Sequence, residues 1–354
     1  MPRLRRVDCS IPGIRRVNRG RSFSFVDDST GETIDDAETL ARIDELVIPP
    51  AWKEVWVCPY PMGHIQATGI DQAGRKQYLY HQRWRERRDR EKFAGMVEFA
   101  RAMPALRTDI EEILQTDTAL TRERVLACAV RLLDRGFFRI GSEDYAARND
   151  TFGLATMRKE HVTLEGGCHM VFDYTAKHGK RAVRGVVDPL VYDIVAQLKR
   201  RRLGGPELLA YRVGRQWRDI KSGDINAFLK ETTGGDYSAK DFRTWNGTVL
   251  CAVGLAVSGE VAGTPTGRKR AVARAIKEVA HYLGNTPAVC RASYIDPRVI
   301  DAYSGGLIIS EALEQVADEL QPGDLPIHQP AIERAVIDLL AGRDESAPGL
   351  AVAA

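Results

Sequence analysis

The chain has 354 residues, 44% hydrophobic and 28% charged, with a formal net charge of only +3. That length supports two compact domains with an ample core, and the composition is that of a globular protein rather than a disordered one. No apolar run approaches the ~20 residues a membrane-spanning helix needs, and the arginine-rich start lacks the apolar core of a secretory signal, so cytoplasm is the expected compartment. Six scattered cysteines (Cys9, Cys58, Cys128, Cys168, Cys251, Cys290) include no Cys-x-x-Cys pair, which argues against zinc and against a disulfide framework.

Residues 1 to about 80 read as short strands and turns. Ser22-Phe23-Ser24-Phe25-Val26 alternates, Val55-Trp56-Val57 is β-prone, and Asp71-Gln72-Ala73-Gly74 is a turn before Lys76-Gln77-Tyr78-Leu79-Tyr80. One short helix is expected over Asp36–Leu46. Helical patterns dominate from Gln82, placing a domain boundary near 81–92. Thr121 caps a helix whose Val125, Cys128, Ala129, Leu132 and Leu133 share a face and whose end near Gly136 delivers Arg139. Residues 169–176 and 181–187 read as strands, with Lys177-His178-Gly179-Lys180 as their hairpin mouth.

Ser238 and Asp241 then open a helix with Phe242, Trp245, Val249 and Val253 as its buried stripe, and Arg243 beside the stripe is expected to face elsewhere. A further helix over about 268–283 buries Val272, Ile276, Val279 and Leu283 and stops at Gly284. Thr286 and Pro287 start the next as cap and first helical residue, leaving Asn285 in the joint and Tyr294 near the helix end. From Glu345 the chain reads as a frayed, disordered tail. The fold class expected is α+β: a small β-rich N-terminal domain (1–90), then a larger α-rich catalytic domain (91–344) with a small hairpin or sheet.

Positive charge gathers in three runs: Arg3, Arg5, Arg6, Arg15, Arg16, Arg19 and Arg21; Arg83, Arg85, Arg87, Arg88 and Arg90; and Lys199-Arg200-Arg201-Arg202. Any one of them is usually a solvated face, and Glu86 and Asp89 interrupt the second. Three runs in one chain fit a partner that carries phosphates.

Taken singly, Arg139 is a salt-bridge partner, Lys177 a solvated turn residue, Arg243 a surface charge, Asn285 turn chemistry and Tyr294 a core tyrosine. Their order and surroundings carry the reading: Phe137-Phe138-Arg139-Ile140-Gly141, Phe172-Asp173-Tyr174-Thr175-Ala176-Lys177, Lys240-Asp241-Phe242-Arg243, and Leu283 to Pro297 around Tyr294. An ordered arginine, hairpin lysine, helical arginine and late tyrosine resembles the type IB DNA topoisomerases, particularly their small poxvirus-like bacterial form. Asn149 to Leu154 resembles the family segment after the first arginine, and Gln66 to Asp71 with Gly74 to His81 resembles its N-terminal DNA-contacting segment.

The resemblance implies that Tyr294 is a nucleophile forming a 3′-phosphotyrosyl link, that Arg139 and Arg243 clamp the non-bridging oxygens, and that Lys177 protonates the departing 5′-oxygen. It also implies DNA contacts from Gln77, Tyr78, Tyr80, Tyr145 and Lys240, a monomeric clamp on duplex DNA in the nucleoid, and chemistry with no metal or other cofactor. The residue types suit those tasks. A phosphotyrosine is an activated ester that a hydroxyl can reseal without ATP, a guanidinium fork matches phosphate oxygens, and an ammonium can act as general acid. Asn285 stands where the family usually has histidine: it can donate a hydrogen bond but cannot carry charge. His281 lies one turn earlier, and the family spacing selects Asn285.

Two rivals share parts of this pattern, a tyrosine recombinase and a DNA-binding relative that has lost catalysis. Recombinases generally carry His-x-x-Arg where this chain has Lys240-Asp241-Phe242-Arg243. An ATP-driven mechanism finds no Gly-x-x-x-x-Gly-Lys-Ser/Thr loop.

Overall fold

The structure is a computed structural model that describes residues 3–20, 22–116, 118–259, 264–317, 328–343 and 347–352. Arg21, part of the first basic run, lies outside the described residues. The chain forms two compact units, Met1–Phe93 and Ala94–Ala354.

The first unit contains β1 (Ile14–Asn18), β2 (Phe23–Asp27), α1 (Ala37–Glu45), β3 (Lys53–Val57), β4 (Ile65–Ile70) and β5 (Lys76–Tyr80). The strands form one antiparallel sheet in the order β2-β1-β3-β4-β5. Its core is Ile14, Val55, Val57 and Ala67, closed by Ile43 of α1, with Trp52 and Leu79 packed on the margin. Asp36 starts α1 by accepting a hydrogen bond from the Thr39 amide at 2.8 Å. Strand alternation leaves Tyr78 and Tyr80 exposed on the edge strand β5 while Leu79 turns inward.

Helix α2 (Gln82–Thr116) spans the boundary, so the division falls within a continuous helix of 35 residues. In order follow α3 (Arg122–Gly136), α4 (Glu143–Asn149), β6 (Val162–Leu164), β7 (His169–Ala176), β8 (Lys180–Val187), α5 (Pro189–Arg200), β9 (Ala210–Val213), β10 (Gln216–Asp219) and α6 (Ser222–Thr233). The chain continues with α7 (Ala239–Gly259), α8 (Pro265–Leu283), α9 (Pro287–Ser293), α10 (Pro297–Ser304), β11 (Leu307–Ile308), α11 (Ser310–Ala317), α12 (Pro330–Leu340) and β12 (Ala351–Val352).

Helix α7 runs through the core of this unit, with Phe242, Trp245 and Val249 fully buried and Val253 nearly so. Ser238 and Asp241 open it, the Ser238 amide and hydroxyl both donating to Asp241 Oδ2 at 2.8 and 2.9 Å. Capped by Thr264, α8 starts three residues earlier than the sequence pattern suggests, and Val272 is only half-buried because the inward face is Ala271, Ala275, Ile276 and Val279.

The frayed tail expected from Glu345 is corrected over 347–352. There β12 pairs with β11, and Ala347 and Leu350 are buried. Gly349 explains the close fit: a Cβ there would lie 2.9 Å from that of Ala312 and 3.1 Å from that of Ala335. The apolar side chains of this short stretch find a surface on α11 and α12 that sequence periodicity does not reveal.

Candidate active site

Helix α3 begins where Thr121 accepts from the Arg124 amide and ends at Phe137, whose left-handed backbone (φ 54°, ψ 24°) turns the chain sharply. Phe138 then plunges into the core edge-to-face on Phe172, with centroids 4.9 Å apart, and Arg139 emerges half-buried. The segment that follows is locked onto it. Leu154 and Ala155 amides donate to the Arg139 and Ile140 carbonyls at 2.8 and 2.7 Å, and a side chain at Gly153 would meet the Gly141 nitrogen at 2.4 Å.

Lys177 stands exposed at the mouth of the β7–β8 hairpin, where His178 and Gly179 take left-handed φ of 67° and 69°. The pairing runs from His169↔Val187 to Ala176↔Lys180, so the two strands hold the lysine in a fixed register. On the inward-facing row of β8, two residues before buried Val186, sits Arg184.

Arg243 leaves α7 beside the apolar stripe but is not at the surface. It is 3% exposed, donating to the Phe137 carbonyl at 2.5 Å and the Leu283 carbonyl at 2.8 Å. Those carbonyls belong to the C-terminal ends of α3 and α8, where helix dipoles place partial negative charge. Arg139 is held in the same way, donating to the Gly284 carbonyl at 3.0 Å and to Asn285 Oδ1. That contact fixes the amide: Oδ1 faces the guanidinium, and the buried Nδ2 has no oxygen or nitrogen partner, with the Cys290 thiol close by.

Tyr294 caps the C-terminus of the seven-residue α9, which Thr286 opens by accepting from the Val289 amide. Its amide donates to the Cys290 carbonyl at 2.9 Å, and its carbonyl accepts from Thr248 Oγ1 at 3.4 Å. Gly247 makes room for this approach, since a Cβ there would lie 2.8 Å from the Tyr294 carbonyl oxygen.

Arg139, Lys177, Arg243 and Asn285 line one cleft of about 500 Å³, together with Arg184, His281 and Gly284. Tyr294 is not in its wall. It stands next to Arg243, whose guanidinium carbon is 5.2 Å from the tyrosine ring centre. Burial, then the neighbouring cation Arg139, lower Arg243 to about 10, with Tyr294 acting in the opposite direction. Burial chiefly, and again Arg139, lower Arg184. Among the described residues, none of these three arginines forms an ion pair. Partly compensated positive charge in a cleft is a site for an anion.

The expected DNA-contacting residues lie elsewhere. Tyr78 and Tyr80 stack at 6.1 Å on the outer face of β5, with the Lys76 ammonium 5.9 Å from the Tyr78 ring centre. The Gln77 amide is tied to Asp71 at 2.9 Å. Tyr145 is exposed on α4 and Lys240 in the first turn of α7; neither lines the cleft. The basic runs are partly structural: Arg201 is buried, donating to the Leu198 and Leu208 carbonyls at 3.2 and 2.6 Å. Among the described residues no group of His, Cys, Asp and Glu could hold a metal, and no helix is long and apolar enough to cross a membrane.

Residues 81–316 match the family model of the eukaryotic DNA topoisomerase I catalytic core, and residues 22–71 that of the bacterial DNA topoisomerase IB N-terminal domain. The chain is 30% identical over 302 residues to DNA topoisomerase 1B of Acanthamoeba polyphaga mimivirus, covering 82% of this chain and 87% of the viral protein. The chain belongs to the type IB DNA topoisomerases. It is also 33% identical over 134 residues to DNA topoisomerase 1 of Schizosaccharomyces pombe and 29% identical over 130 residues to that of Daucus carota. Those matches cover 38% and 36% of this chain but only 16% and 15% of the larger enzymes. As a type IB topoisomerase it is an isomerase that acts on DNA topology.

Two residues, Arg184 in the cleft wall and Gly247 against Tyr294, escaped the sequence reading. Arg184 carried a signal, a charge on the inward row of a strand whose neighbour Val186 is apolar. Gly247 carried a weaker one, a glycine inside a long helix, which usually marks close packing.

Proposed function

We propose that this topoisomerase relaxes supercoiled duplex DNA by transient cleavage of one strand through a 3′-phosphotyrosyl intermediate, strand rotation and religation, without ATP. The observation that carries the reading is the cleft itself. Three guanidinium groups without carboxylate partners converge there with the N–H of Asn285, and Lys177 stands at its edge.

A scissile phosphate bound in the cleft supplies the missing counter-charge. Tyr294 Oη approaches from beside Arg243 and attacks phosphorus, its phenolic proton passing to solvent. The bond to the 5′-oxygen breaks, and Lys177 Nζ gives that oxygen a proton. Arg139 and Arg243 hold the non-bridging oxygens, and their charge opposes the charge that builds up in the pentacoordinate transition state. Asn285 Nδ2 donates to one of the same oxygens. The free strand rotates about the intact one, torsion falls, and the 5′-hydroxyl attacks the phosphotyrosine to reverse every step. The exposed Tyr78–Tyr80 face of the first unit, with Gln77, and Tyr145 and Lys240 of the second, contact the duplex in a monomeric clamp. The chemistry proceeds in chelator, and the nucleoid is the site of action.

The test is relaxation of positively and negatively supercoiled plasmid in EDTA without ATP, by wild type and Tyr294→Phe, with denaturing gels to trap protein covalently on DNA. Relaxation of both signs and a covalent adduct by wild type alone is expected. Activity in Tyr294→Phe means another nucleophile. DNA binding without an adduct in either protein would favour a catalytically silent binder, a reading that the position of Tyr294 outside the cleft wall encourages.

A further inference from the structure

Four arginines line the cleft: the motif residues account for Arg139 and Arg243, Arg181 is paired with Asp173, and Arg184 is left over. Its place is not that of a solvated strand residue. It shares the inward row of β8 with Val186, pairs across to Phe172, and lines the cleft beside Arg139 and Arg243. One side-chain bond of its guanidinium is to the Val183 carbonyl at 3.2 Å, that of its own chain neighbour, and its Nε is buried with no partner.

No carboxylate pairs with it among the described residues, although Asp173 on the partner strand is close enough to the hairpin mouth to bond Arg181. Its Nη2 lies 3.3 Å, and Arg139 Nη1 3.8 Å, from the point a side chain at Gly284 would occupy, so the two guanidinium groups flank the same glycine. Bringing a third cation to two others costs folding free energy. A fold that retains such a cluster, with donor atoms unsatisfied, is organised for a dense negative charge.

We propose that Arg184 is a catalytic residue of this site, donating to a non-bridging oxygen of the scissile phosphate and supplying the positive charge that Asn285 cannot. The assignment rests on the phosphate-cleaving reading above. It accounts for how a neutral amide can occupy the joint after α8. The charge comes from the opposite wall, on β8, while Asn285 contributes only its hydrogen bond. A guanidinium so placed acts more on the dianionic transition state than on bound DNA, because charge on the oxygens grows as the phosphorane forms.

The experiment is single-turnover cleavage of a short duplex whose cleaved end diffuses away, by wild type, Arg184→Gln and Arg184→Lys, with DNA affinity measured alongside. Thermal melts check the fold, and glutamine keeps length and polarity. Arg184→Gln is expected to slow cleavage roughly 10²–10³-fold while affinity falls less than about tenfold, and Arg184→Lys to recover part of the rate. A second substrate carries a neutral methylphosphonate in place of the scissile phosphate. With one oxygen charge gone, the penalty of Arg184→Gln should shrink at least tenfold, roughly, which a merely structural role would not produce. Cleavage by Arg184→Gln within about twofold of wild type, or an equal penalty on both substrates, overturns the assignment while leaving the reading of the site intact. A wild type that forms no covalent adduct brings down both.

Discussion

Two arginines of the second unit, Arg107 half-buried and Arg243 buried, meet opposite fates. Arg107 of α2 is held between two acids, its Nε 2.8 Å from Asp134 and its Nη1 2.6 Å from Glu333, and Trp245 of α7 donates to the same Glu333 at 3.0 Å. Burial lowers its affinity for a proton, but the two carboxylates more than reverse this and hold it above the ordinary arginine value. Arg243 sits two residues before Trp245 on the same helix and is more deeply buried, with helix-end carbonyls and Tyr294 but no carboxylate beside it, and its value falls to about 10. Folding neutralises the first arginine internally. The second has no carboxylate partner among the described residues, and under the proposed chemistry a bound phosphate supplies the counter-charge. Counting basic residues would not separate these roles; the presence or absence of a counter-ion does.

The sharpest way to break this contrast is to remove each arginine in turn. Arg243→Ala should lower the rate of covalent adduct formation by roughly 10³-fold or more while the protein still unfolds cooperatively. Arg107→Ala should leave the rate per folded molecule near wild type but destabilise the fold by about 3–5 kcal/mol in urea, because two buried carboxylates lose their partner. If the two variants show the same pattern, the contrast is wrong.

Acid should also act on the Arg107 network. Burial pushes the Asp134 carboxyl up, yet Arg107 outweighs it and holds the group below its ordinary 3.8. A carboxylate so lowered stabilises the fold above its unfolded value, and this contribution is lost as pH falls through the lower folded value. Melting temperature should therefore drop below pH of about 4 in wild type, and less steeply in Asp134→Asn.

Next in size is the joint. Asn285→Ala should slow cleavage roughly 10²–10³-fold, and Asn285→His should retain most of the rate, since both side chains offer a donor. A fully active alanine variant removes the donor role. Gly247→Ala should then cost roughly 10- to 10²-fold in cleavage with little loss of DNA affinity, by pushing Tyr294 away from α7. The smallest effect belongs to the solvated arginines of α2. Arg87 and Arg88 already share Glu91 at 2.8 and 3.1 Å, so Arg88→Ala should leave melting temperature and cleavage rate unchanged and alter only the salt dependence of binding.

Local chemistry made much of the fold legible. Asp36, Thr121 and the Thr286-Pro287 pair mark helix starts that the structure keeps, and Gly284 marks a stop because its φ of 59° suits glycine. The hairpin around Lys177 followed from alternation and the glycine in its turn. What stayed hidden depends on contacts between distant segments. Arg243 looked free to face outward, since nothing in a helical wheel says that the ends of α3 and α8 converge above it. Leu350 looked like part of a loose end because its burial depends on α11 and α12 being adjacent. Family resemblance singled out Arg139, Lys177, Arg243 and Asn285, which share one cleft, whereas single residues carried little, as Arg184 shows.

The held backbone of Tyr294 has a consequence for timing. Its carbonyl is packed against Gly247 and bonded by Thr248, one turn along from Arg243 on α7. The helix that carries the arginine thus also braces the backbone of the tyrosine at the end of α9. Under the proposed chemistry, bringing the hydroxyl to phosphorus requires only that the aromatic ring turn on its own two torsions, a rotor on a fixed mount. A turn of one side chain needs no rearrangement of a whole segment, a process of microseconds to milliseconds. Cleavage after DNA engagement should accordingly start without a lag.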